Sequence, residues 1–156
     1  MIHIEGFEVR ELSDDDQPSI DDLFARCADL MAVDPHATPD RVLHHLPADA
    51  VPEREHAFGL WRDGKLLGIL AMLFGYREEK DWWIGLLMLD PSVRGQGIGH
   101  AALEEALRLA RESNVAKAMW LVVAFDNTRG QKFWFREGFV ERGRTETHLM
   151  LSRAID

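Results

Sequence analysis

The chain has 156 residues, of which 46% are hydrophobic, and it carries a formal net charge of -9 at pH 7. This size and composition predict a single domain over residues 1–156, and the acidic charge argues against a nucleic-acid partner, because nucleic-acid binders concentrate Lys and Arg. The single cysteine, Cys27, excludes an internal disulfide, and the sequence has neither a signal-peptide pattern nor an apolar run of about 18 residues. We therefore expect a cytoplasmic protein that does not bind membranes.

The first half of the chain predicts a strand, two helices and a hairpin. Apolar and charged residues alternate over residues 7–12, as in a half-buried strand. Ser13 and Asp16 form a capping-box pattern, and apolar residues at three- and four-residue spacings then predict one helix that ends near Asp34. The pattern next predicts a short helix over residues 39–45, a loop over 46–55, and antiparallel strands over 57–61 and 66–74 joined by a tight turn.

The second half of the chain alternates strands and helices. A strand over residues 82–89 precedes an amphipathic helix over 97–111. The remaining predicted elements are a buried strand over 119–123, a helix over 129–136 that ends before Gly138, and strands over 139–144 and 147–151. The resulting order, β-α-α-β-β-β-α-β-α-β-β, predicts an α/β fold with one mixed sheet.

A glycine-rich turn between the fourth predicted strand, over residues 82–89, and the helix that follows it carries the main chemical signal. After Asp90 and Pro91, the segment reads Arg94, Gly95, Gln96, Gly97, Ile98, Gly99 and His100, and the helix begins there. The first N–H groups of a helix have no intrahelical partner, and glycines allow an anion to approach them closely. Arg94 adds a charge that can hold a phosphate oxygen through two hydrogen bonds. We therefore expect a diphosphate ligand at this turn.

The glycines have three other interpretations. A nucleotide P-loop would end in Gly-Lys-Ser or Gly-Lys-Thr, but His100 and Ala101 follow the last glycine here. A dinucleotide fingerprint that starts at Gly95 would need a glycine at the position of His100. A plain strand-to-helix turn with positive φ angles is also compatible with the glycines taken alone.

The segment closely resembles the acetyl-CoA-binding motif of the GNAT superfamily of N-acetyltransferases, which has Arg or Gln, two residues, Gly, any residue, and Gly or Ala. Arg94, Gly97 and Gly99 occupy these positions. The resemblance extends over residues 61–151, and its further matching positions are Asn127, Gly130, Phe133, Gly138 and Phe139. It implies a GNAT-like fold, with a mostly antiparallel sheet flanked by helices.

The resemblance also implies how acetyl-CoA would bind. In this family the pantetheine arm lies between two splayed strands, so Met88 and Leu89 would present backbone groups to it. Backbone amides of residues 94–100, which include Gly95, Gln96, Ile98 and His100, would hold the pyrophosphate. Asn127 would bind the pantetheine arm or cap the next helix, and Phe133 would contribute to the same site. We expect no metal.

The implied reaction is direct attack of a primary amine on the acetyl thioester. A backbone N–H near Leu87 would stabilise the charge that develops on the carbonyl oxygen. The family often uses a tyrosine to protonate the departing thiolate, but Trp134 stands at that position and has no acidic proton. For the general base, Asp81, Glu79 and His148 remain open candidates.

The acceptor site implied by the resemblance lies around residues 31–50 and 143–148, and would take a small amine or a peptide amine. Trp82 and Trp83 alternate across their strand, so one is expected in the core and the other at an acceptor pocket or a subunit contact. The protein would be a monomer or a homodimer. The alternative function is a non-catalytic acyl-CoA-binding domain, suggested by Trp134 and by the absence of a carboxylate within residues 82–89.

Overall fold

The computed structural model describes residues 1–44 and 51–156 of the chain. Within these residues, seven strands form one sheet in the order β1-β2-β3-β4-β5-β7-β6. The strands are β1 (Glu8–Glu11), β2 (Glu55–Arg62), β3 (Lys65–Leu73), β4 (Asp81–Leu89), β5 (Ala118–Ala124), β6 (Val140–Arg144) and β7 (His148–Ala154). All neighbouring pairs are antiparallel except β4 with β5, which are parallel. The predicted mixed, mostly antiparallel sheet is confirmed.

Helices cover both faces of this sheet. They are α1 (Gln17–Arg26), α2 (Ala28–Val33), α3 (Arg41–His44), α4 (Ile98–Glu112) and α5 (Thr128–Arg136). The apolar side of α4, including Leu103 and Leu107, packs with β5 and β7 in one buried cluster, which we call the first core. The apolar side of α1, including Ile20 and Leu23, packs on β2 and β3 in a second core on the opposite face. The described residues contain no helix with the length and apolar character needed to cross a membrane.

The first predicted helix is divided in the structure. A 3-10 turn over Asp14–Asp16 precedes α1, and Cys27, with φ -104° and ψ 37°, separates α1 from α2. Periodicity alone could not reveal this break, because it coincides with contacts to a distant strand: Arg26 binds Asp90, and the Cys27 thiol donates to the carbonyl oxygen of Leu89 at 3.4 Å. The expectation that Cys27 is buried is confirmed.

The short second helix begins two residues later than predicted, at Arg41, and residue 45 lies outside the described part of the chain, as do residues 46–50 of the predicted loop. The other helices begin or end within about one residue of their predicted bounds. The last strand continues to Ala154, three residues beyond its predicted end. The predicted order of elements is therefore confirmed, with the first helix in two parts.

Strands β4 and β5 separate soon after they begin. They pair with each other only from Asp81 with Ala118 to Trp83 with Trp120. Beyond these rungs, β4 continues against β3 with a bulge between Ile84 and Leu86, while β5 continues against β7. The result is a wedge-shaped gap in the middle of the sheet, which we call the strand gap.

Candidate active site

The glycine turn leads from the open end of β4 into α4. Gly95 and Gly97 have φ angles of 73° and 80°, in the left-handed region that a side chain would strain. A Cβ added at either glycine would meet no atom within 4 Å, so both face open space. The turn therefore leaves the N-terminus of α4, a helix of 15 residues, accessible to a ligand.

Asp90 fixes the start of this turn. Its carboxylate accepts hydrogen bonds from the Ser92 backbone N–H at 2.9 Å, the Ser92 hydroxyl at 2.6 Å and Arg26 Nε at 2.5 Å. Burial alone would raise the pKa of Asp90, but the hydrogen bonds from Ser92 and Arg26 outweigh it and hold the pKa at about 2. Asp90 is therefore ionised at neutral pH and ties α1 to the glycine turn.

The guanidinium of Arg94 is held by neighbouring protein groups. Nε donates to the Leu89 carbonyl at 3.0 Å, and Nη1 and Nη2 donate to the two Asp29 oxygens at 2.5 and 3.2 Å. The hydrogen bonds from Arg94 lower the pKa of Asp29 despite its desolvation. In this arrangement Arg94 joins α2 to the end of β4, and its side chain is turned toward Asp29. Asp29 could not be predicted as the partner of Arg94 from sequence, because it lies 65 residues away and no local pattern marks it.

A cavity of about 1190 Å³ runs from the glycine turn into the strand gap. The predicted cofactor residues in its wall are Met88, Leu89, Arg94, Gly95, Gly97, Ile98, Gly99, His100, Asn127 and Phe133, and the predicted catalytic residues there are Leu87 and Trp134. Leu30 and Val33 of α2 also line it, so the cavity reaches both faces of the sheet. Gln96 lies outside the wall, with its side-chain amide bonded to the Ser92 carbonyl.

Two residues of the cavity wall fix the start of α5. The Asn127 side chain accepts a hydrogen bond from the Gly130 backbone N–H at 3.0 Å, so Asn127 is the helix cap. A Cβ at position 130 would lie 2.5 Å from the Asn127 amide nitrogen, which explains the glycine. The capping role does not remove Asn127 from the cavity, since it also lines the wall.

Aromatic residues of α5 form the inner part of the wall. Trp134 is 8% exposed and packs edge-on against Phe133 and Phe139, with ring centroids 4.8 and 5.3 Å apart. Phe133 in turn lies against Gly99 of α4, where an added Cβ would be 3.3 Å from its ring. The close contact between α4 and α5 therefore sets the width of the cavity near the glycine turn.

The candidate bases lie in different places. Asp81 is at the opposite end of β4 from Leu87, and its Oδ1 accepts the Trp120 indole N–H at 3.0 Å. Glu79 lies in the turn before β4, 3.5 Å from Arg54. His148 pairs with Ala124, which is four residues beyond Trp120, just as Leu87 is four residues beyond Trp83. Of the three candidates, His148 is therefore the one that lies toward the open end of the strand gap, on the far side of β5 from it.

His148 has an acidic neighbour. Its Nδ1 is 2.7 Å from the Thr147 hydroxyl, and its Nε2 is 3.6 Å from Asp34 Oδ1. That Asp34 oxygen is buried and has no hydrogen-bond partner within the part of the chain that the structure describes. The His36 ring lies 6.0 Å from the His148 ring. These groups stand at the end of α2, next to Val33 of the cavity wall.

A second group of ionisable side chains lies at the outer mouth of the cavity. His100 Nδ1 is 2.7 Å from Glu137 Oε1, an ion-pair distance. Glu104 is close enough that one donor atom from each of the three residues lies within 4.8 Å of the others. Such a set could hold a cation, although the contact between His100 and Glu137 already pairs two of its members.

The chain is similar in sequence to a known protein family. The acetyltransferase (GNAT) family model matches residues 17–139. No curated protein matches the chain significantly in sequence.

Solved structures share the fold. An acetyltransferase from Thermus thermophilus is 24% identical, with a TM-score of 0.80 and coverage of 98% of this chain and 99% of that one. The PaiA N-acetyltransferase from Thermoplasma acidophilum, in complex with coenzyme A, is 15% identical, with a TM-score of 0.72 and coverage of 95% and 98%. A GNAT-family acetyltransferase from Staphylococcus aureus is 12% identical, with a TM-score of 0.75 and coverage of 96% and 99%. Because the family model covers most of the chain, this protein belongs to the acetyltransferase (GNAT) family.

Proposed function

We propose that residues 1–156 act as one domain that transfers the acetyl group of acetyl-CoA to the nitrogen of a primary amine. The observation that carries this proposal is the continuous cavity from the N-terminus of α4 to the strand gap, reaching both faces of the sheet. A long ligand with an anionic head and an extended arm fits such a shape. The complex of the PaiA N-acetyltransferase with coenzyme A is consistent with this choice of ligand.

The residues at the glycine turn fit a diphosphate. N–H groups at the start of α4 would donate to its oxygens, and the open space at Gly95 and Gly97 would admit it. The backbone N–H of Leu89 faces the strand gap and would pair with an amide of the pantetheine arm, as an added strand would. The backbone groups of Met88 face β3 instead, because Asp90, two residues further along the strand, donates its N–H to Leu67. Asn127 and Phe133 would line the arm from the side of α5.

In the reaction, the amine lone pair forms a bond to the acetyl carbon, the carbon–sulfur bond breaks, and CoA leaves as a thiolate. The amine must lose a proton to become an amide, and the thiolate must gain one. The backbone N–H of Leu87 would stabilise the carbonyl oxygen as negative charge develops on it. Side chains would therefore contribute mainly to proton transfer and to positioning of the amine.

Of the three candidates, His148 is the base that this arrangement favours, because it lies on β7 toward the open end of the strand gap and next to Asp34. Asp81 is a weaker candidate, since it lies at the far end of β4 and accepts the Trp120 indole N–H. Trp134 would pack against the sulfur without donating a proton, so water would protonate the thiolate. That missing donor also motivates the alternative, a domain that binds acyl-CoA without turnover.

The experiment compares two glycine substitutions. Gly97→Glu places a carboxylate where the diphosphate would lie, so we expect CoA affinity to fall at least about 100-fold in calorimetric titration. Gly64→Glu is the matched control, because Gly64 has a similar φ of 76° and equally open surroundings but lies in the β2–β3 turn.

Unchanged affinity in Gly97→Glu would refute this placement of the diphosphate. A panel of primary amines, assayed by release of free CoA thiol, tests the chemistry. Tight CoA binding with no thiol release from any amine would favour the binding-only alternative over the acetyltransferase.

A further inference from the structure

A band of apolar side chains crosses the sheet beside the strand gap and belongs to neither core. It consists of Trp83 of β4, Trp120 and Val122 of β5, and Met150 of β7. Met119, Leu121 and Val123 of β5 point into the first core, so the alternating Trp120 and Val122 point to the opposite face. This is the face on which α1 and α2 pack over β2 and β3.

The members of this apolar band are adjacent and held in place. The indole rings of Trp83 and Trp120 stack with centroids 5.6 Å apart and an interplanar angle of 25°. The Trp120 N–H donates to Asp81, and the Trp83 N–H donates to the Tyr76 carbonyl at 3.3 Å. Val122 is paired with Met150 in the sheet register, and it is 49% exposed. The apolar band therefore presents an ordered surface rather than isolated exposed residues.

Gly85 extends this surface at the edge of the strand gap. It lies at the β4 bulge and is exposed, and its φ is not in the left-handed region. A Cβ there would meet nothing closer than the Ala71 carbonyl oxygen at 3.8 Å. Neither backbone conformation nor packing requires a glycine at this position. Its effect is to leave space between Trp83 and the point where the thioester would lie.

The polar end of the same face carries the carboxylate of Asp34 beside His148 and His36. Ala124, two residues beyond Val122, pairs with His148, which lies 3.6 Å from Asp34. From Trp120 to Ala124 the strand rises about 13 Å, at roughly 3.3 Å per residue. A ligand with a cationic nitrogen near His148 and Asp34 could therefore lay an apolar group of that length or less along the apolar band.

We propose that this apolar band is the part of the acceptor site that selects the amine, and that the acceptor is a primary amine carrying an aromatic ring a few bonds from its nitrogen. The inference rests on the proposed acetyl transfer. The nitrogen lies at the strand gap near Leu87 and His148, while the ring packs on Val122 and Met150 and reaches toward the stacked indoles.

The test compares 2-phenylethylamine with 2-aminoethanol, two primary amines of similar basicity that differ at the far end of the chain. We expect the kcat/KM of the wild type to be at least about tenfold higher for 2-phenylethylamine than for 2-aminoethanol. This ratio is what burial of roughly 60 Å² of additional apolar surface would give. Val122→Asp and Met150→Gln should each remove most of that preference. The measured quantity is the ratio of kcat/KM for the two amines. The carboxylate introduced by Val122→Asp attracts both amines alike, so this attraction does not change the ratio. Val115→Asp, at a valine that is 45% exposed in the segment before β5, should leave the ratio unchanged.

The outcomes separate this inference from the proposed function. Equal acetylation of both amines by the wild type would overturn the aromatic preference while leaving acetyl transfer intact. Thiol release with another amine of the panel but with neither of these two would also overturn the aromatic preference alone, whereas no thiol release with any amine would overturn both. A wild-type dimer that Val122→Asp converts to monomers, with the amine ratio unchanged, would identify the apolar band as a subunit contact and overturn its assignment to the acceptor. Calorimetric titration with CoA should give the same affinity in the wild type, Val122→Asp and Met150→Gln.

Discussion

Asp90 connects two parts of the chain that are remote in sequence. Its side chain is 6% exposed, and it binds Ser92 within the glycine turn and Arg26 at the end of α1. Asp90 opens a turn, as predicted from the sequence. Its partner Arg26 could not be predicted, because the two residues are 64 positions apart and sequence patterns are local.

We expect Asp90→Asn to lower the free energy of unfolding by about 2 kcal/mol at pH 7, as measured by urea denaturation. The pKa of Asp90 is about 2 in the folded protein, against an ordinary value of 3.8. A depressed carboxyl pKa contributes stability that is fully present above the unfolded pKa and is lost as pH falls through the folded pKa. The difference between wild type and variant should therefore shrink between about pH 4 and pH 2.

The control is Asp22→Asn, at an exposed position of α1, which should change the unfolding free energy by less than about 0.5 kcal/mol. If the Asp90→Asn difference were the same at pH 3 as at pH 7, ionisation of Asp90 would not be the source of its effect.

Among the helices and strands, the contact between α4 and α5 determines the width of the cavity. Gly99 lets the Phe133 ring approach the α4 backbone, with 3.3 Å between the ring and a hypothetical Cβ. We expect Gly99→Leu to push Phe133 into the cavity and to weaken CoA binding at least about tenfold in calorimetric titration. Gly99→Ala needs a shift of only a few tenths of an ångström, so its effect should be several times smaller.

Arg111→Leu introduces the same side chain at an exposed position near the end of α4 and should not alter CoA binding. Equal affinities in Gly99→Leu and Arg111→Leu would show that Phe133 does not limit the space available to the ligand.

Most helices and strands could be predicted from sequence. Features that depend on contacts between residues distant in sequence could not. Periodicity gave α4 and most strands to within about one residue, because each alternation reflects one buried face. It did not give the break at Cys27, which depends on contacts of Arg26 and Cys27 with the far end of β4. The glycine turn predicts that Arg94 binds a diphosphate, but no local pattern marks Asp29, which accepts two hydrogen bonds from Arg94. Such partners can be identified only from the folded structure, in which residues distant in sequence come into contact.

For the whole molecule, ligand binding should couple to folding. A ligand that binds only the folded state at about 100 times its Kd adds about 2.7 kcal/mol to the free energy of unfolding. For a chain of this length that corresponds to a rise in Tm of roughly 5–10 °C. Thermal denaturation with and without CoA measures this directly. Gly97→Glu should show almost no rise, and Gly64→Glu should show the wild-type rise.

No rise in the wild type at millimolar CoA would contradict the assignment of the cavity to this ligand. A rise of equal size in the wild type and Gly97→Glu would place the ligand elsewhere in the fold.

The separation of β4 and β5 places two open strand edges inside the sheet. Past Trp83 and Trp120, the facing edges of the two strands offer backbone N–H and C=O groups that do not pair with each other. An open strand edge usually lies at the rim of a sheet, where it can recruit a strand from another molecule. Here both edges lie inside the sheet and meet where β4 and β5 pair. A strand from another molecule therefore cannot pair with the full length of either edge. The strand gap thus has room for one extended, narrow chain but is not accessible to the edge of another sheet.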